Sequence, residues 1–105
     1  MPDYLLVSTT AGSRDSALKV LRSAVRERLA ASGQVLGPVL SAFWHDDEFG
    51  EAEEWQVFLK TEAGQYPQLE AHLRVIHPWQ NPEITALTIA EGSVAYLDWI
   101  SQTVA

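Results

Sequence analysis

The groups in this chain best suited to chemistry are imidazoles and carboxylates on short polar stretches. His77-Pro78-Trp79-Gln80-Asn81-Pro82-Glu83 carries an imidazole at one end, a carboxylate at the other and an indole between them. His45 is followed at once by Asp46, Asp47 and Glu48. Imidazole and carboxylate together suit a borderline divalent cation such as Cu(II) or Zn(II), with affinity generally greatest at copper. His77 and Glu83, with His45 and Asp46 or Asp47 as additions, are therefore the metal-ligand candidates. No H-E-x-x-H pattern or EF-hand loop is present. Enzyme signatures are missing too: no G-x-S-x-G, no phosphate-binding glycine loop and no dinucleotide fingerprint. Trp79, Gln80, Lys60 and Tyr96 are the candidates for lining a ligand cleft between subunits, where Lys60 and Tyr96 could act as acid–base residues although nothing in the sequence requires it. Binding rather than catalysis is the expectation, and no organic cofactor is indicated.

These residues also have plainer readings. His77 sits at a helix end, where its ring satisfies terminal carbonyls. Glu83 opens a strand and accepts hydrogen bonds. His45 and the acids from Asp46 to Glu54 form a solvated hairpin tip. The four tryptophans fill a core or an interface, each with an indole N–H that needs one partner.

Composition narrows the classes further. The chain has 105 residues and a net charge of −7, which disfavours nucleic-acid binding, since that requires a basic stripe against phosphate. It has no cysteine, which excludes disulfides, thiolate catalysis and thiolate metal sites. No apolar run approaches the roughly 20 residues that span a bilayer. The opening segment MPDYLLVSTT lacks the basic and cleavable apolar regions of a signal peptide, so a cytoplasmic, membrane-free protein is expected.

The elements that must hold these groups follow from periodicity. Tyr4 to Thr10 reads as a strand, and Ser13 offers a cap for an amphipathic helix running to about Ala31 on Ala17, Leu18, Leu21, Ala24, Val25 and Leu29. Gln34 to His45 and Glu51 to Thr61 read as long strands joined by the polar turn Asp46–Gly50, with an interruption at Gly37-Pro38. Pro67 opens a second helix with Tyr66, Leu69, Leu73 and Ile76 as its buried stripe. Two prolines four apart then enforce a stiff loop, because each lacks an N–H and has a fixed φ. Ile84 to Ala90 is a strand, and Gly92-Ser93 opens a terminal helix.

The order β-α-β-β-α-β plus a helix predicts an α+β, ferredoxin-like sandwich as one domain over residues 1–105, with a long β2-β3 hairpin and both main helices on one sheet face. The other face and the hairpin carry enough Trp and Phe to predict oligomerisation.

In this order the chain resembles the CutA family of divalent-cation tolerance proteins over almost its whole length. The features that carry the resemblance are Arg28-Leu29-Ala30-Ala31, Phe43-Trp44, Gln56-Val57-Phe58-Leu59-Lys60-Thr61, the segment from His77 to Ile84, and Tyr96-Leu97-Asp98-Trp99-Ile100. The resemblance implies a homotrimer, like that of PII signalling proteins, and a role in tolerance to copper and other divalent metals. Alternatives are a metabolite sensor or small enzyme using intersubunit clefts, or a structural trimer that anchors a partner. Two positions differ from the family pattern. Ser32 stands where many members have a cysteine, and a hydroxyl is a weaker copper ligand than a thiolate. His45 replaces an indole and adds an imidazole.

Overall fold

The computed structural model describes residues 3–104. Four strands form one antiparallel sheet in the order β2-β3-β1-β4. They are β1 (Tyr4–Ala11), β2 (Ser32–His45), β3 (Glu48–Glu62) and β4 (Ile84–Ile89). Helices α1 (Arg14–Arg26) and α2 (Tyr66–Ile76) connect them in ferredoxin-like fashion, and α3 (Val94–Val104) closes the chain. The expected α+β architecture is thus observed.

The sheet face beneath α1 and α2 is set by strand alternation. Leu5, Val7, Thr9 and Ala11 of β1 lie opposite Thr61, Leu59, Val57 and Trp55 of β3, so all eight point to one side. Val7, Ala11, Val57 and Leu59 pack with Ala17, Val20 and Ala24 of α1 and Leu69 and Leu73 of α2. The alanines let α1 approach the sheet closely. Relative to expectation, Val20 joins the fully buried stripe, while Leu21 and Val25 sit at its margin.

Helix α1 ends at Arg26, not near Ala31. Arg28 adopts a left-handed φ of 58°. Its N–H bonds to Val25 O at 3.0 Å and that of Leu29 to Ala24 O at 3.1 Å. These two bonds are a Schellman closure, normally built on glycine. Residues 29–31 then leave the helix, and Ala31 N–H bonds to Lys60 O at 2.8 Å, leading into β2.

The hairpin is also tighter than expected. Glu48, Phe49 and Gly50 pair with His45, Trp44 and Phe43, so only Asp46 and Asp47 form the turn. Both have positive φ, 51° and 63°, as a two-residue hairpin turn of primed type requires. The register shifts between Leu36 and Val39, where the Gly37-Pro38 peptide is cis. Gly37 is required there, because a Cβ would lie 2.4 Å from the Trp55 ring.

Candidate functional site

The proline loop is anchored by two buried polar residues. His77 caps the end of α2, with its N–H on Leu73 O at 2.9 Å. Its ring reaches across to β1, where Nε2–H donates to the backbone carbonyl of Thr10 at 2.7 Å. Nδ1 accepts from the Trp79 N–H at 3.1 Å, which fixes the ring as the Nε2–H tautomer. The plainer reading of His77 therefore describes what the ring does here: both nitrogens are engaged, and no lone pair faces out. The indole of Trp79 tilts against this ring with centroids 5.0 Å apart and packs over Gly12, where a Cβ would meet it at 3.6 Å.

Thr10 plays the matching part for Glu83. Its buried hydroxyl donates to Glu83 Oε2 at 2.8 Å. That bond leaves the second carboxylate oxygen available and holds the side chain on the sheet face opposite α1 and α2. Thr10 on β1 and His77 at the C-cap of α2, far apart in sequence, thus position the acidic and the aromatic group of one loop.

Trp79, Gln80, Asn81, Pro82 and Glu83 form one wall of a groove of about 930 Å³. The distal hairpin forms the other wall through Phe43, Trp44, His45, Asp46 and Glu54. Of the predicted site residues, His45, Trp79, Gln80 and Glu83 therefore meet in one place, while His77 lies behind that wall. His45 Nε2 is 3.3 Å from Asp46 Oδ2, and both side chains are over 80% exposed (81% and 89%). Among the described residues, no group of three or more His, Asp or Glu side chains is placed to hold one metal ion. A single chain thus offers separate oxygen and imidazole donors rather than a closed coordination sphere. Asp46 is an expected addition to the ligand set, whereas the sequence places Glu54 only in the solvated acidic run of the hairpin. Only the close turn and the alternation of β3 bring them to the groove.

Lys60 and Tyr96 belong to a second cluster in the single chain. Lys60 pairs with Leu6, four residues along β1 from Thr10, which is about 13 Å of strand. Helix α3 crosses this end of the sheet on the face opposite α1. Tyr4, Ala31, Ile100 and Val104 form a small core there, and the Tyr4 hydroxyl lies 2.6 Å from Ser101 Oγ. The Ser101 hydroxyl also donates to Glu62. The Tyr96 oxygen is 3.5 Å from Ser32 Oγ and 3.4 Å from Lys60 Nζ. The ammonium also lies 5.3 Å from the centre of the Tyr96 ring. The hydrogen bond with Ser32, helped by Lys60, holds the phenol below its ordinary value of 10.0 despite an opposing desolvation. Ser32 is thus a partner of a tyrosine.

Residues 5–103 match the family described as CutA1 divalent ion tolerance protein. The divalent-cation tolerance protein CutA of Thermus thermophilus is 34% identical over 97 residues, covering 92% of this chain and 94% of that protein. Its solved structure superposes with a TM-score of 0.89, over the same shares of the two chains. The crystal structure of CutA from Xylella fastidiosa gives a TM-score of 0.94 at 29% identity, covering 98% of this chain and 99% of that one. Protein CutA of Homo sapiens is 29% identical over 86 residues, covering 82% of this chain and 48% of that longer protein.

Proposed function

The chain belongs to the CutA1 divalent ion tolerance family, and on that premise we propose that it is a trimeric binding module with weak affinity for divalent cations such as Cu(II). The observation that carries this reading is the groove between the hairpin tip and the proline loop. His45, Asp46, Glu54 and Glu83 line it and supply imidazole nitrogen and carboxylate oxygen, donors that copper and zinc accept. Their spread around the groove supports weak binding, with water or a neighbouring subunit completing the coordination.

The trimeric part rests on exposed apolar surface. Leu40 is 72% exposed and Leu87 66%, although both lie on strands and neither lines the groove. Among the described residues, the strands β2 and β3 beyond Trp55 pair only with each other. A projecting two-stranded ribbon with apolar residues is unstable alone and favours burial against other copies. A cytoplasmic location belongs to the same proposal and is checked by cell fractionation.

Native mass spectrometry with limiting Cu(II) tests the reading. A trimer is expected, taking up one Cu(II) per chain, with uptake reduced by Glu83→Ala and by His45→Ala but not by Asp47→Ala. A folded monomer at low micromolar concentration, or identical uptake by all variants, would overturn it.

A further inference from the structure

The groove has properties that a metal alone does not use. Its lining holds three aromatic residues, Phe43, Trp44 and Trp79, beside three carboxylates, Asp46, Glu54 and Glu83. Among the described residues, neither lysine nor arginine lines it. Five of the chain's seven lysines and arginines fall between residues 14 and 28, on and just after α1. Apart from the His45 imidazole, 3.3 Å from Asp46, an anionic ligand would therefore meet only carboxylates, whereas a cation would be attracted by both the charges and the aromatic faces. The volume of about 930 Å³ is far larger than a metal ion needs and lies within the range of sites for organic ligands.

The loop wall is also built rather than incidental. A solvated turn needs no buried support, yet Thr10 and His77, only 7% and 6% exposed, hold Glu83 and Trp79 in place. Preorganising an indole and a carboxylate on one wall of the groove reduces the ordering cost of binding a cation there. We propose that the groove recognises an organic cation, an ammonium or guanidinium group on an apolar body. This inference rests on the groove being the ligand site, as in the function proposed above.

The probe is choline, compared with dimethylbutanol, its uncharged carbon isostere, by isothermal titration calorimetry on the intact protein. A quaternary ammonium neither coordinates a metal nor donates an N–H hydrogen bond, so a preference for it reads ion–aromatic and ion–carboxylate attraction directly. Choline is expected to bind at least about tenfold more tightly than the isostere, a ratio within reach of desolvated cation–π contacts plus charge. Trp79→Ala and Glu83→Gln should each remove most of that preference. Glu83→Gln keeps an acceptor for the Thr10 hydroxyl, so the loop stays in place while the charge is lost. Circular dichroism and native mass confirm that the variants are folded.

Equal affinity for the two probes, absence of saturable choline binding, or a preference unchanged in both variants would overturn the inference. Cu(II) titration of the same samples separates it from the broader reading. Copper uptake sensitive to Glu83 without choline binding sinks the organic-cation inference and leaves the divalent-cation reading standing. Choline binding without copper uptake does the reverse.

Discussion

Thr9 and Thr61 lie on the same face of the sheet, neither has any contact with solvent, and their hydroxyls meet opposite fates. The Thr61 hydroxyl donates to Leu29 O at 2.7 Å. The Thr9 hydroxyl has no hydrogen-bond partner among the described residues. Valine has nearly the same shape as threonine, so Thr→Val at each site changes polarity with little change in volume. At Thr9 the substitution removes a desolvated hydroxyl, a burden of about 1–3 kcal/mol by mutational scales. The new methyl faces the neighbourhood of Val57 and Ile84, which lie opposite in register. Thr9→Val should therefore stabilise each chain by about 1–3 kcal/mol. Thr61→Val should destabilise by about 1–3 kcal/mol, because it orphans the Leu29 carbonyl at the crossover from α1 to β2. The assay is urea unfolding at one fixed protein concentration, reading the shift in midpoint at constant slope. In thermal melts, each kcal/mol corresponds to about 4–8 °C for a domain of this size. A Thr9→Val variant that is neutral or less stable would overturn this assignment and point to a partner for that hydroxyl, such as buried water. Equal effects at the two sites would refute it as well.

Three further outcomes follow from the polar side chains. His77→Ala removes a buried ring and leaves Thr10 O and the Trp79 N–H without their partner. It should cost about 2–4 kcal/mol in urea unfolding and shift tryptophan emission to the red as Trp79 loosens; unchanged stability and emission would contradict the anchoring role. Tyr96 should ionise earlier than an ordinary tyrosine in an ultraviolet titration, and Ser32→Ala should move its titration back toward 10.0. Tyr66 should ionise later, because burial and then Glu70 oppose its phenolate. The signs for stability are opposite. The lowered Tyr96 contributes stability above pH 10 that is lost as pH falls through its folded value. The raised Tyr66 contributes stability below pH 10 that is lost as pH rises through its own. Tyrosines that titrate together would contradict both assignments.

The element order and most of the buried faces follow from local residue patterns alone. Alternation in β1 and β3 and helical spacing in α2 are local patterns, and burial on one face of a strand or helix is what produces them. Pro78 and Pro82 marked the stiff loop because the absence of an N–H is a covalent fact. The resemblance carried by residues 77–84 and 96–100 located the family for the same reason, through residue types at short range.

Tertiary structure decided where elements stop and what the polar groups do. Residues 27–31 contain good helix formers, yet α1 ends at Arg26 because Arg28 turns left-handed and Ala31 is drawn into pairing with Lys60. Glu48, Phe49 and Gly50 resemble turn residues, yet cross-strand pairing takes them into β3 and leaves a two-residue turn. His77 has the type and position of a ligand, but the carbonyl that claims its Nε2–H belongs to a residue 67 positions away. Asp46 and Glu54 reach the groove only because the hairpin folds to that register. A side chain's partners depend on long-range distances, which adjacent residue types do not encode. The chemistry available at the groove was therefore readable as a set of residue types, and its arrangement was set by the sheet.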